Sequence, residues 1–311
     1  MRHPPYHLRL NKAVDRFALI EAIRRIEKFG NLAEYNYYGL GGPYLEEFRL
    51  LYEFYPEIDM FSIEQDVETF KRQKFHLPCG TLHLENKDVK SFLAQYESNG
   101  KKSIVWLDYT GLEYGNFEDF ILLLTKVAEK SMVKITLRAE PKDYFSKGEE
   151  FRKKFSAVMP RPSEYPPSRF RDFACLLQEM LQVAAQQALP GDVPVMFQPV
   201  SSFYYSDGTG MFTLTGVICP RAEETTVKKA FKDWKFANLA WSKPRMIDVP
   251  TLSTKERLYL EVLLPCIESP GKTLRKALGY LIDEDIAMTE AKLKQYADFH
   301  RYSPYFLRGV P

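Results

Sequence analysis

The sequence predicts a doubly wound α/β fold, in which a mostly parallel sheet is closed by an antiparallel hairpin and followed by a helical C-terminal subdomain. Three observations carry this. Short apolar runs alternate with amphipathic helical stretches from about residue 30 to about residue 190, as repeated strand–crossover–strand units require. The run Ser103–Asp108 (SIVWLD) is apolar throughout and closed by an acid, the pattern of a strand buried on both faces. Two strand-like stretches flank SDGTG at 206–210, whose Asp-Gly pair suits a tight hairpin turn.

Each element follows from local pattern. From Asn11 to Phe29, Val14, Phe17, Ile20, Ile23 and Ile26 recur at helical spacing with Arg16, Arg24, Arg25 and Lys28 on other faces, so an amphipathic helix over residues 1–30 is expected to pack on the core. Glu34–Gly42 (EYNYYGLGG) reads as an aromatic strand running into glycines, and Pro43–Tyr55 as the helix that follows, with proline at its start. Glu57–Glu64 (EIDMFSIE) is a second strand ending in an acid, followed by a helix over Val67–Lys74. Thr81–Leu84 is a third strand, and Asp88 stands where the next helix would begin. Ser103–Asp108 is the central strand, Phe117–Ser131 a helix and Val133–Ala139 a fifth strand. The charged, proline-rich stretch 142–168 reads as an exposed insertion. Phe170–Leu189 is a long helix, and Val195–Tyr205 with Met211–Cys219 form the hairpin that completes a domain over 31–220. The remainder, 221–311, is mainly helical: Ala222–Trp234, Ser253–Leu264, Lys272–Leu281 and Ile286–Phe299. Ser253 and Glu256 have capping-box spacing, and the short segment at Ile247 is a potential extra strand.

Composition narrows the function classes. With 45% hydrophobic residues among 311, the chain can bury a large core. The 43 basic and 41 acidic residues nearly cancel, so no whole-chain field draws it to nucleic acid or anionic lipid. Cys79, Cys175, Cys219 and Cys266 are far apart, without the paired spacing of a zinc site or a disulfide framework, which fits a reducing compartment. No secretory leader and no membrane-length apolar run is seen, so the expectation is a cytoplasmic protein without a membrane partner. The five histidines lack zinc-hydrolase spacing, and neither a G-x-S-x-G elbow nor a phosphate-binding G-x-x-x-x-G-K occurs. Basic residues gather at Arg2–Arg9, at Lys147–Lys154 and around Arg161, Arg169 and Arg171, with Tyr165 and Phe170 among them. Acids interrupt these clusters, which favours a solvated surface over a nucleic-acid grip. The aromatic tail FHRYSPYFLRGV is suited to docking on the sheet or on a protein partner.

One edge of the sheet gathers the residues of chemical interest. Gly39, Gly41 and Gly42 end the first strand, where backbone can approach a ligand at a helix N-terminus. Glu64 ends the second strand about 20 residues on, where doubly wound proteins place a carboxylate that grips ribose hydroxyls. Asp88 follows the third strand and Asp108 ends the fourth, and Glu140 lies beyond the fifth. Asp108 and Glu140 have the chemistry of a general base or a metal pair, although acids at such an edge are more often simply solvated.

With its glycine turn, its acids after strands two and three and its closing hairpin, the stretch Tyr35–Cys219 resembles the class I, Rossmann-like S-adenosylmethionine-dependent methyltransferases. The resemblance implies S-adenosylmethionine as cofactor, with Gly39, Gly41 and Gly42 around its methionine part, Glu64 on the ribose and Asp88, beside Asn86, on the adenine side. It further implies that Asp108 and Tyr109 face the methyl group and an acceptor that the sequence does not name. The chain departs from the family pattern at Tyr37, where an acid usually stands two residues before the first glycine, and at Pro43, which replaces the last glycine. The segment LDYTG lacks the Asp/Asn-Pro-Pro-aromatic sequence of base-modifying amino methyltransferases. Two other readings stay open at this point: a noncatalytic methyltransferase-fold subunit that binds protein or nucleic acid, and a dinucleotide-dependent enzyme using the same turn.

Overall fold

The computed structural model describes residues 9–160, 166–265 and 268–303. In chain order its elements are α1 (Leu10–Ile26), β1 (Tyr35–Gly39), α2 (Glu46–Phe54), β2 (Asp59–Ile63), α3 (Val67–Phe75), β3 (Leu82–Glu85) and α4 (Val89–Gln95). Then come β4 (Lys102–Asp108), α5 (Tyr114–Lys126), β5 (Met132–Arg138), α6 (Gly148–Phe155), α7 (Phe170–Ala188), β6 (Val195–Ser206) and β7 (Gly210–Pro220). The last are α8 (Glu224–Phe231), β8 (Arg245–Ile247), α9 (Thr254–Glu261), α10 (Pro270–Leu278) and α11 (Ile286–Phe299). The strands form one sheet in the order β3-β2-β1-β4-β5-β7-β6-β8. Strands β1 to β5 are parallel, and β7 runs antiparallel to β5. This is the parallel sheet with a closing hairpin that the sequence predicts.

The described chain divides into two compact units, a larger one of residues 19–204 and 209–245 and a smaller one of 9–18, 205–208 and those from 246 onward. In the larger unit, the apolar run of β4 is the core: Ile104, Val105, Trp106 and Leu107 are all at most 1% exposed, as burial on both faces demands. Alternation along each strand separates the two faces. Tyr37 meets Phe48 of α2 edge-on at 5.4 Å, whereas Tyr38 packs on Phe92 of α4 at 5.4 Å and stacks on Phe61 at 4.9 Å. Helices therefore cover both faces. At the hairpin, Phe197 of β6 lies against Phe120 of α5 and fills the space a side chain at Gly216 would need.

Two elements differ from the sequence reading. Helix α2 begins at Glu46, not at Pro43, because Leu45 takes a left-handed conformation (φ 53°) that buries its side chain and sets the helix start after it. The stretch expected to be an exposed insertion contains α6, whose Phe151 and Phe155 lie one turn apart and are buried, Phe155 edge-on to Phe117 of α5. Its Lys154 pairs with Glu113, which caps α5. The potential strand at Ile247 forms as expected and is β8. Cys79, Cys175 and Cys219 are free thiols, and burial pushes that of Cys219 up to about 11. Most of the Arg2–Arg9 cluster, Arg161, Tyr165, Cys266 and the aromatic tail beyond Ser303 lie outside the described residues.

The smaller unit is organised by buried polar bonds. Asn11 accepts from the amide of Val249 (2.9 Å) and donates to the carbonyl of Ser206 (3.1 Å), and Asp207 accepts from the amides of Asn11 and Lys12. Ser253 and Glu256 form the capping box that their spacing predicts. A cleft of about 600 Å³ opens among Asn11, Asp207, Asp248, Asp283 and Lys292. Helices α10 and α11 touch where Gly271 leaves no room for a Cβ against the Glu290 backbone. Alanine normally favours a helix over glycine by about 1 kcal/mol. At this contact the sign should reverse: Gly271→Ala is expected to destabilise by about 1–3 kcal/mol in chemical denaturation, because backbone cannot yield as a side chain can.

Candidate cofactor site at the strand ends

The parallel register carries the carboxyl ends of β1 to β4 to one edge of the larger unit. Gly39 pairs with Ser62 and Trp106, Ile63 with Glu85, and Asp108 with Thr136. The glycine turn, Glu64, Asn86, Asp88, Asp108 and Tyr109 therefore all stand at this edge, as open α/β folds require of a ligand site.

The glycine turn is held by packing from three elements. A Cβ at Gly39 would collide with Oε1 of Glu47, from the first turn of α2, and lie 3.1 Å from the Tyr37 hydroxyl. One at Gly41 would collide with Ser62 Oγ and come within 3.0 Å of Gln73 Nε2 and of the Phe48 ring. At Gly42 it would meet nothing within 4 Å. The first two glycines are thus required by the fold, and the third leaves space open beside the backbone. Gln73, fully buried on α3, donates to the carbonyl of Gly41 (2.6 Å) and more weakly to that of Gly42 (3.4 Å), and accepts from Ser62 (3.3 Å). Its amide holds the turn in place from the neighbouring helix. The turn closes with the amide of Leu45 donating to the Gly42 carbonyl (3.3 Å), and α2 then begins with no side-chain cap.

Glu64 is half-buried just past β2. Its amide donates to the Glu85 carbonyl, and its Oε1 accepts from the Asp66 amide at 2.8 Å. The Asp66 bond orients the carboxylate, which the Gln65 amide also faces. Burial raises its pKa, partly opposed by the Asp66 amide bond. Asn86 donates to the carbonyls of Glu64 (2.7 Å) and Gln65 (3.3 Å), joining the ends of β2 and β3. Asp88 is the N-cap of α4: one oxygen accepts from the Ser91 amide (2.8 Å), the other from its hydroxyl (3.0 Å), and these bonds lower its pKa. Both Asp88 oxygens are therefore engaged by its own helix.

At the end of β4, Asp108 is half-buried, and the amide of Tyr109 donates to the Thr136 carbonyl. The Tyr109 hydroxyl donates to Asp119 of α5 at 2.7 Å. Burial, and then the Asp119 charge, raise the Tyr109 pKa far above the ordinary phenol range, so the hydroxyl keeps its proton. The Asp119 carboxyl is itself raised by burial and lowered by the bond from Tyr109. Glu140 accepts from the Gly210 amide at 2.5 Å and pairs with Lys142, fastening the end of β5 to the start of β7. Among the described residues no group of three His, Cys, Asp or Glu side chains could hold a metal ion, and no helix is long and apolar enough to cross a membrane. Sequence reasoning missed Glu47, Gln73 and Asp119. The only sequence signal for Glu47 is an acid one turn into the helix after a glycine loop.

From residue 4 to residue 310 the sequence matches the model of a family described as "Putative O-methyltransferase". No curated protein sequence matches it. Among solved structures it is similar to Trm1 from Pyrococcus horikoshii in complex with S-adenosyl-L-methionine, at 10% identity and a TM-score of 0.45 over 73% of this chain and 61% of that one. It is also similar to the N-methyltransferase NodS from Bradyrhizobium japonicum (7% identity, TM-score 0.38, 66% and 97% covered). A third is a fibrillarin pre-rRNA processing protein from Methanococcus jannaschii (11%, 0.34, 58% and 65%).

The geometry sets the expected outcome of three substitutions. Gly41→Ala should lose about 1–3 kcal/mol in urea denaturation, because its Cβ overpacks against Ser62 and Gln73. Gly42→Ala should stay within about 0.5 kcal/mol of the parent. Tyr109→Phe should cost about 1–3 kcal/mol by leaving Asp119 buried without its donor. The Tyr109 bond favours the charged carboxylate, so without it Asp119 takes up a proton at higher pH. Denaturation across a pH series should accordingly show the largest deficit at neutral pH and a smaller one as pH falls through the raised Asp119 pKa.

Proposed function

The chain belongs to this O-methyltransferase family, and on that premise we propose that it transfers the methyl group of S-adenosylmethionine to an oxygen of an acceptor. The observation that carries the cofactor assignment is the pairing of an open backbone at Gly42 with a half-buried carboxylate, Glu64, oriented by the Asp66 amide at the next strand end. The residues present fit the cofactor. The turn Gly39–Gly42 would receive the amino-acid part, where open space beside Gly42 and the uncapped start of α2 suit a small charged group. Glu64, held by Asp66, would accept from the ribose hydroxyls. The adenine side falls to the Asn86–Asp88 segment, with Asp88 acting through the backbone that its cap fixes, since its oxygens are engaged.

When bound, the cofactor supplies a methyl group on a sulfonium, an electrophile that needs no acid catalysis. What this chain contributes is orientation and exclusion of water. An oxygen acceptor must also lose a proton, and Asp108, at the end of β4 beside the turn in strand order, is the carboxylate placed to take or direct it. Tyr109 remains protonated and serves as a fixed donor to Asp119, bracing the segment after β4. A family described by O-methyl transfer favours a catalyst over a noncatalytic binding subunit, and the antiparallel β7 favours the methyl donor over a dinucleotide.

Glu64→Gln tests the assignment by calorimetry with S-adenosylmethionine and S-adenosylhomocysteine. Affinity is expected to fall about tenfold or more, as for loss of a charge-assisted bond. The unliganded fold should be as stable as the parent or slightly more so at neutral pH. A raised pKa means that the charged Glu64 costs stability once pH exceeds its folded pKa, and glutamine removes that cost. Unchanged affinity would contradict the ribose assignment.

A further inference from the structure

We infer that Glu47 is the cofactor's ammonium-binding residue, an anion delivered by helix α2 to the place where β1 itself offers only Tyr37. This rests on the reading of the glycine turn as the cradle for the amino-acid part of the cofactor. That part carries an ammonium group, which needs carbonyl or carboxylate acceptors. Two of the turn's carbonyls are already engaged: those of Gly41 and Gly42 accept from Gln73, and that of Gly42 also accepts from Leu45. Glu47 is the buried carboxylate at this point, 7% exposed. Its Oε1 accepts from the Tyr37 hydroxyl at 3.2 Å and lies so close over Gly39 that no side chain could stand there.

The position of the carboxylate has physical causes. Tyr37 and Gly39 are two apart on one strand and project to the same face, so the Tyr37 ring occupies the space that an acid at residue 37 would enter. The ring ends in a hydroxyl that donates to Glu47, ten residues later in the chain. Glu47 lies in the first turn of α2, where the helix dipole favours an anion, which offsets part of the cost of burying it. Tyrosine plus a helix-borne glutamate thus supplies the negative charge that the strand lacks. Glycine at 39 is the condition for it.

The test separates the ammonium contact from the rest of the site. S-adenosylmethionine and S-adenosylhomocysteine carry the amino-acid part, whereas 5′-methylthioadenosine keeps the nucleoside and lacks it. All three are titrated calorimetrically into the full chain and into Glu47→Gln, whose folding is checked by thermal denaturation. Glu47→Gln is expected to lose about tenfold to a hundredfold in affinity for the first two, the span of a charged hydrogen bond, and to bind 5′-methylthioadenosine as the parent does. Glu47→Asp keeps the charge but withdraws it by one methylene, so it should show a smaller loss with the same selectivity, which secures the test if the glutamine variant folds poorly. Equal losses for all three ligands, or no loss for any, would overturn the role of Glu47 while leaving the cofactor site standing. A parent chain that binds none of the three overturns both.

Discussion

The arrangement depends on two missing side chains. At the end of β1, Gly39 and Gly41 let a glutamate from α2, a glutamine from α3 and a serine from β2 converge on a few atoms of backbone. A β-carbon at either position would displace one of them. Because Gln73 is fully buried and bonded both to the turn and to Ser62, moving it would leave polar groups unpaired in the interior at a cost of about 1–3 kcal/mol each. The turn is therefore pre-organised by the fold, and a ligand entering beside Gly42 would not have to order it.

The remainder of the edge is built in the same manner, with each acid's geometry set by one or two short local bonds. Asp66 caps α3 and also directs Glu64 through its amide; Asp88 caps α4; Glu113 caps α5 and pairs with Lys154 of α6. Where an acid is consumed by such a bond, as Asp88 and Glu140 are, its charge is spent on the scaffold. Among the described residues Glu64 is held only by neighbouring backbone amides, and the scaffold presents it at the sheet edge. This distinction, drawn from bonds and not from residue type, divides the acids of the sheet edge into supports and contacts.

The sheet was legible in the sequence because its signals are local and strong. SIVWLD can only be an interior strand, an Asp-Gly pair between two strand-like runs specifies a hairpin, and each parallel strand ends near an acid or glycine. The parts that were not legible depend on tertiary contacts. Pro43 suggests a helix start, but burial of Leu45 in a left-handed conformation moves it to Glu46. The aromatic face of α6 was hidden by the charges around Phe151 and Phe155, so a packed helix read as a loop. Asp88 fits both a cap and a ligand contact by position, and only its bonds to Ser91 decide how its oxygens are used. Glu47 could not be related to Tyr37 without knowing how α2 crosses back over β1.

The central claim is that a cofactor with an amino-acid part and a ribose binds across the ends of β1 and β2. Amide hydrogen exchange with and without saturating S-adenosylhomocysteine tests it most directly. Ligand-dependent protection is expected at residues 41–47 and 64–66, with the strands β6 and β7 unchanged. Saturating ligand without protection at the glycine turn, or with protection confined to another part of the chain, would contradict it.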